Sequence, residues 1–258
     1  MGDAAGRLVI ERPAEGVTVL RIERLARRGA LSQVILDALE RAFADATGGC
    51  LVVTGTGEIF SAGYDLSVLG DPIDPAVADA AIAPESVPAL DALRSCRVPV
   101  IAALNGPALG GGLELALGCD VRFAVPGAYL AAPAGRLGLV YSPGGLERVL
   151  TGLPAAAAAE LFVLGRRLDA ARAHALGVLT EVVSAEKLER AVLDAAVEVL
   201  AQAPDAVNAN ARALRELRAG ASPAVREELA AVRRAGMRSA GFAEGVAAFR
   251  ARREPNWR

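Results

Sequence analysis

Two glycine-containing segments of this chain have the composition of a site that stabilises negative charge on an oxygen atom. They are residues 60–66 (FSAGYDL) and residues 105–114 (NGPALGGGLE), and each follows an apolar run. Three consecutive glycines before a predicted helix let the backbone approach a ligand, and unpaired amides at the positive end of the helix dipole then face it. An oxyanion site or a tightly packed crossover from strand to helix would each use these glycines.

Glu114 is the ionisable side chain best placed for proton transfer at such a site. It lies three residues after Gly111, about one helical turn, so both residues can face one ligand. A positioned carboxylate is a common general acid or base. Because His174 is the chain's one histidine and the three cysteines lack metal-ligand spacing, we expect neither a metal site nor a Ser-His-Asp triad.

Composition limits the class of protein. The 258 residues, 53% of them hydrophobic, suit one large α/β domain, or such a domain with a helical appendix. A formal net charge of −2 provides no basic stripe for a nucleic acid. Residues 1–7 contain no apolar signal core, and no apolar run approaches the roughly 20 residues that span a bilayer. We therefore expect a cytoplasmic protein with reduced cysteines and no membrane partner.

The hydrophobic pattern alternates between strand and helix periods until about residue 185. Strands are predicted over residues 8–10, 17–22, 50–54, 100–104, 121–124, 129–131 and 178–183. Helices are predicted over residues 32–46, 89–95, 113–118, 146–150, 155–164 and 170–176, and from residue 186 onward. Residues 70–88 contain four prolines and are predicted to be a surface excursion. This pattern predicts a site-bearing core over residues 1–185 and a helical region over residues 186–258.

From Val17 to Trp257 the order and spacing of these motifs resemble the enoyl-CoA hydratase/isomerase family, the crotonase superfamily. Residues 119–122 (CDVR), the Gly144-Gly145 pair followed by Arg148, and the closing residues 244–257 also agree. The resemblance implies an α/β fold, a crotonase-like spiral of β-β-α units with a helical C-terminal trimerisation region. It also implies a homotrimer or a dimer of trimers.

The resemblance also implies roles for individual residues. The backbone amides of Tyr64 and Gly111 would form an oxyanion hole for the enolate of an acyl-CoA thioester, with coenzyme A part of the substrate and no other cofactor. Asp65 would hold the first turn, and Arg252 would reach coenzyme A phosphate from a neighbouring subunit. The expected substrate- and CoA-binding residues are Arg27, Arg28, Ala62, Asp65, Leu66, Gly110 and Arg252.

The chain departs from the family at the second catalytic glutamate, where it has Ala134. Losing a general acid or base typically costs about 10² to 10⁴-fold in rate, so efficient hydration is not expected unless another group substitutes. Isomerisation with Glu114 as the single acid/base fits better. Residues 137–141 resemble the methylmalonyl-CoA decarboxylase branch, in which Tyr141 would orient a substrate carboxylate. A non-catalytic acyl-CoA-binding protein is the third hypothesis.

Overall fold

The computed structural model describes residues 5–82 and 84–257. Residues 1–4, on which part of the signal-peptide prediction depends, lie outside the described residues, as do Ala83 of the predicted excursion and Arg258. The described strands are β1 (Arg7–Ala14), β2 (Val17–Glu23), β3 (Cys50–Gly55), β4 (Val100–Leu104), β5 (Ala108–Leu109), β6 (Val121–Ala124), β7 (Tyr129–Ala131), β8 (Leu168–Asp169) and β9 (Glu181–Val182). The described α-helices are α1 (Gln33–Ala44), α2 (Pro75–Ile82), α3 (Pro88–Ser95), α4 (Gly111–Gly118), α5 (Pro143–Gly152), α6 (Ala155–Phe162), α7 (Ala170–Ala175), α8 (Ala185–Leu200), α9 (Pro204–Arg218), α10 (Pro223–Gly236) and α11 (Ala240–Ala251).

Two sheets form the core. Within the described residues, six strands make the larger sheet in the order β1-β2-β3-β4-β6-β9, and three make the smaller one in the order β5-β7-β8. β1 and β2 are antiparallel, and the later neighbours in the larger sheet are parallel. Every residue of β3 and β4 is buried, as expected for parallel strands covered on both faces. The predicted α/β class with a helical C-terminal region is confirmed.

Two helices show how the sequence pattern forms the layers around the larger sheet. The Ser32 hydroxyl accepts a hydrogen bond from the amide of Ile35 at 3.4 Å and so begins α1 where the sequence predicts. α8 buries Leu188, Val192 and Ala196 and contacts β3, β4 and β6. The helical region therefore begins with a helix that belongs to the core. The division into two parts at residue 185 stays a prediction.

The predicted excursion over residues 70–88 is mostly exposed, but part of it is helical. Pro75 is the first residue of α2, and the Asp74 carboxylate accepts a hydrogen bond from the amide of Ala76 at 2.8 Å. Proline fits the first helical turn because its missing N–H would have no partner there, and aspartate is a favoured N-cap. The four prolines of this segment favoured a loop in the sequence analysis, so the helix start at Asp74-Pro75 was not predicted. The strand predicted over residues 178–183 is also shorter, since only Glu181–Val182 pairs with β6.

Asn105 connects the end of β4 to the loop that leads into the first glycine segment. Its amide nitrogen donates to the carbonyls of Gly57 at 2.7 Å and Ile59 at 3.0 Å. Its amide oxygen accepts from the backbone N–H of Gly55 at 3.0 Å. One side chain thus fixes the path of the loop that precedes residues 60–66.

Replacing Asn105 with Ala is expected to lower the free energy of unfolding by about 1–3 kcal/mol, because the backbone groups of Gly55 and Ile59 lose their partner. Urea unfolding followed by circular dichroism measures the change. Asn210→Ala, at an exposed position of α9, is the control and should stay within about 0.5 kcal/mol of the unaltered chain. Equal changes in the two variants would contradict the role given to Asn105.

Candidate active site

The two glycine segments are in direct contact. The backbone N–H of Leu109 donates to the carbonyl of Ser61 at 2.9 Å. Gly63 has a φ of +90°, and a Cβ at this position would lie 2.6 Å from the carbonyl oxygen of Leu109 and 3.1 Å from the nitrogen of Gly111. Only glycine fits here, and its absent side chain lets the first turn meet the start of α4.

The backbone amides of Tyr64 and Gly111 are unpaired at this contact. No hydrogen bond joins either N–H to another residue in the described parts of the chain. Gly111 is the first residue of α4, where a helix leaves its N–H groups without internal partners. Unpaired amides at a helix start favour an oxygen that carries negative charge. The convergence of these two amides on one oxygen stays a prediction.

Glu114 lies in the first turn of α4 and is only 2% exposed. Its Oε2 accepts hydrogen bonds from Nε of Arg148 at 2.6 Å and from the hydroxyl of Tyr64 at 3.3 Å. Its Oε1 accepts a hydrogen bond from the hydroxyl of Tyr141. Two phenols and one guanidinium therefore surround the candidate acid/base.

The positive charge of Arg148 balances the negative charge of Glu114, and the two phenols beside the carboxylate are neutral. Burial, followed by the negative charge of Glu114, raises the pKa of Tyr64 and of Tyr141 above the usual phenol value. Both phenols therefore stay protonated and can donate. Burial lowers the pKa of Arg148, but charge attraction and hydrogen bonding to Glu114 outweigh it, so the net shift is upward. The Glu114–Arg148 pair thus consists of one carboxylate and one guanidinium of opposite charge.

Ala134 follows the strand that contacts the second glycine segment. The amide of Gly110 donates to the carbonyl of Ala131 at 3.0 Å, which brings the end of β7 to this segment. Ala134 follows in a short 3₁₀ helix, Pro133–Leu137, and is 5% exposed. A methyl group here cannot transfer a proton, so the polar groups at the carboxylate are the two phenols and Arg148.

The predicted substrate-binding residues of the first turn are close to one another. The amide of Ala62 donates to the carbonyl of Arg28 at 3.0 Å, which places the exposed pair Arg27 and Arg28 beside this turn. Leu66 is 44% exposed and begins the 3₁₀ helix Leu66–Val68. The structure thus brings these residues to one side of the glycine contact, and their contact with coenzyme A stays a prediction.

Asp65 holds the turn through contacts inside the protein. One carboxylate oxygen pairs with Arg24 at 2.7 Å, and the other accepts from the backbone N–H and the hydroxyl of Ser67 at 3.0 and 2.7 Å. Burial raises the pKa of Asp65, but these partners outweigh it and lower the pKa overall. Both oxygens are engaged inside the protein, and a role for Asp65 in binding coenzyme A stays a prediction.

Arg252 is not brought to the glycine contact within one chain. It ends α11 in the left-handed region at a φ of +51°, and α11 contacts α9. In the described residues, no hydrogen bond or ion pair connects the Arg252 side chain to the groups around Glu114. The contact between Arg252 and the coenzyme A of a neighbouring subunit, which the resemblance implies, stays a prediction.

Sequence reasoning missed two groups at the site, the guanidinium of Arg148 and the hydroxyl of Tyr64. Arg148 stood out only as the residue that follows the Gly144-Gly145 pair, with no partner assigned. Tyr64 was chosen for its backbone amide. A buried carboxylate needs a cation or several donors, and that requirement could have prompted a search for the partners of Glu114.

A small cavity of about 150 Å³ lies next to the site, between α1 and the excursion. Leu31, Tyr64, Val68, Pro84 and Val87 are among the residues that line it. Within residues 5–82 and 84–257, no three His, Cys, Asp or Glu side chains are grouped to hold a metal ion. No helix in that part has the length and apolar character that a bilayer crossing needs.

Known proteins are similar to this chain in sequence and in fold. Residues 12–258 match the family model described as enoyl-CoA hydratase/isomerase. The chain is 35% identical over 216 residues to carnitinyl-CoA dehydratase from Citrobacter koseri, covering 80% of each protein. Among solved structures, Pseudomonas aeruginosa DspI has a TM-score of 0.84 at 30% identity, covering 98% of this chain and 97% of DspI. An enoyl-CoA hydratase from Polaromonas has a TM-score of 0.84 at 29% identity, covering 98% of this chain and all of that one.

These similarities define the class as the crotonase-fold proteins, in agreement with the observed sheets and the helical C-terminal region. The chain belongs to the enoyl-CoA hydratase/isomerase family. The resemblance seen in the sequence is confirmed. Proteins of this family act on acyl-CoA thioesters.

Proposed function

We propose that this protein is an acyl-CoA-processing enzyme that stabilises a thioester enolate at the amides of Tyr64 and Gly111 and uses Glu114 as its single acid/base carboxylate. One observation carries the proposal: the two glycine segments touch, and both amides at the contact are unpaired. Glu114 follows Gly111 by one helical turn. A carbonyl oxygen bound at the amides would therefore have a carboxylate nearby.

The proposed chemistry follows from these groups. Two N–H donors hold the thioester oxygen and stabilise the charge that develops on it when a neighbouring carbon loses a proton. Glu114 takes that proton and returns it to a different carbon, which moves a double bond. Removal or addition of water also passes through the enolate, and the dehydratase relatives support that reaction. With Ala134 in place of a second carboxylate, Glu114 is the proton-transfer group, and the hydroxyls of Tyr64 and Tyr141 remain as hydrogen-bond donors that orient it.

Decarboxylation is the second candidate because Tyr141 does lie at the site. The arrangement of charges favours it less. The Tyr141 hydroxyl already donates to Glu114, and the positive charge of Arg148 is paired with the same carboxylate. A substrate carboxylate placed here would be repelled by Glu114. Proton transfer by Glu114 is the reaction that the geometry supports better.

A panel of thioesters tests the proposal. We expect turnover of crotonyl-CoA, which is measured as a loss of absorbance, or of a 3-enoyl-CoA, which is measured by chromatography. We expect no release of CO₂ from methylmalonyl-CoA. Carnitinyl-CoA completes the panel because of the relatives' name. Release of CO₂ with no other turnover would instead establish the decarboxylase. Binding of CoA esters at micromolar concentration without any turnover would establish a non-catalytic acyl-CoA-binding protein.

The proposal includes the surroundings of the enzyme. We infer a cytoplasmic homotrimer or dimer of trimers, with no cofactor apart from the coenzyme A of its substrate and no nucleic acid partner. Exposed apolar side chains on the C-terminal helices, among them Leu214, Met237, Phe242 and Phe249, are compatible with such an assembly. Arg252 would then meet the coenzyme A bound by a neighbour.

A further inference from the structure

Arg148 contacts both the candidate acid/base and a distant loop. Its Nε donates to Glu114 at 2.6 Å. Its two terminal nitrogens donate to backbone carbonyls, to that of Glu85 at 2.7 Å and to that of Pro84 at 3.0 Å. A guanidinium is planar and its donors have fixed directions. The position of the two carbonyls therefore constrains the orientation of the Glu114 carboxylate.

Residues 84–88, which we call the cavity wall, contribute Pro84, Ser86, Val87 and Pro88 to the lining of the small cavity beside Tyr64. The N-terminal end of α5 holds this wall at two further points. The hydroxyl of Ser142 donates to the carbonyl of Pro84 at 3.1 Å, and the amide of Gly144 donates to the Glu85 carboxylate at 2.8 Å. The wall is thus fixed by α5, the helix that also carries Arg148.

Glu114 depends on Arg148 for its charge balance as well as its orientation. The Glu114 side chain is fully buried, and no other ion pair involves it in the described residues. The side chains that face it are Tyr64, Tyr141 and Arg148, and the two phenols are neutral donors. Arg148 is therefore both the counter-charge and the mechanical link between the carboxylate and the cavity wall.

We propose that Arg148 is a positioning residue through which the cavity wall sets the orientation of Glu114, so that the fit of the acyl group in the cavity controls proton transfer. This inference rests on the function proposed above. An acyl group that displaces or loosens the wall moves the two carbonyls and, through Arg148, the carboxylate. Misplacement of a catalytic group by about 1 Å can lower a rate by about 10²-fold. The enzyme thus discriminates among acyl groups in kcat.

A double-mutant cycle on kcat tests the link. Arg148→Gln should lower kcat by about 10²-fold, and Arg148→Lys should lower it less because the charge remains, with KM within about threefold in both. Glu85→Ala, which removes one of the contacts that hold the wall and does not touch Glu114, should lower kcat by about 10-fold. In the Arg148→Gln background, Glu85→Ala should have no further effect, because the link is already broken. Arg136→Gln, which changes an exposed arginine bonded to a backbone carbonyl, is the matched control and should leave kcat unchanged.

Additive effects of Arg148→Gln and Glu85→Ala would overturn the proposal, as would a kcat of Arg148→Gln within threefold of the unaltered chain. Hydrogen exchange provides a readout that does not depend on activity. If Glu114 and the wall are linked, Glu114→Gln should speed exchange of the amides of Ser86 and Val87, since coupling is reciprocal. Unchanged exchange also overturns the link. Failure of every substrate in the panel would refute the proposed function, and the exchange experiment would still decide on the link.

Discussion

Replacing Glu114 with Gln is expected to lower kcat for isomerisation or water elimination by about 10² to 10⁴-fold. The amide has nearly the same shape, but it has one accepting oxygen where the carboxylate has two, and it cannot accept the proton that the substrate carbon loses. In the proposed mechanism the glycine turns bind the thioester, so KM should change little. Steady-state kinetics on the best substrate of the panel measures both constants.

The matched control is Glu147→Gln, which removes a carboxylate at an exposed position of α5 next to Arg148. Its kcat should stay within about twofold, because a surface charge in water is strongly screened. If methylmalonyl-CoA does lose CO₂, that reaction should largely survive Glu114→Gln, since it creates the enolate without a base. Equal loss of isomerisation, water elimination and decarboxylation would refute this division of roles.

Replacing Gly63 with Ala is expected to lower kcat by about 10² to 10³-fold, the usual effect of losing one oxyanion donor. The added methyl group would lie 3.1 Å from the nitrogen of Gly111 and 2.6 Å from the carbonyl oxygen of Leu109. The two turns must separate to admit it, so the proposed convergence of the Tyr64 and Gly111 amides on one oxygen would be lost. Steady-state kinetics of the variant measures this loss, and the binding constant of a non-reactive CoA thioester is measured on the same variant.

Gly177→Ala controls for backbone strain. Gly177 also has a positive φ, +71°, but nothing lies within 4 Å of the position of its added Cβ. Both substitutions carry the strain of a left-handed alanine, and only the one at Gly63 pushes on the second turn. Similar activity in the two variants would show that the contact between the turns is not required for catalysis.

The local elements of the fold could be predicted because each depends on neighbouring residues. Ser32 and the apolar residues at helical spacing after it determine α1, and the glycine run determines where α4 begins. The helix α2 follows from an equally local feature, the Asp74-Pro75 pair, and was missed because the surrounding prolines favoured a loop.

The partners of Glu114 could not be predicted in the same way. Glu114 and Arg148 are 34 residues apart, and their contact depends on how α4 packs on α5. The side-chain direction of Tyr64, 50 residues from Glu114, depends on the contact between the two glycine turns. Helix and strand periods relate residues that are only a few positions apart in the sequence. These two contacts join residues that are far apart, so they become visible only in the folded chain.

The pairing of Glu114 with Arg148 has a consequence for how this lineage can change. Removing Arg148 alone leaves the fully buried Glu114 carboxylate without its counter-charge, which typically costs about 3–5 kcal/mol, a large part of a domain's stability. A descendant that no longer needed the reaction would therefore have to lose the carboxylate before, or together with, the arginine.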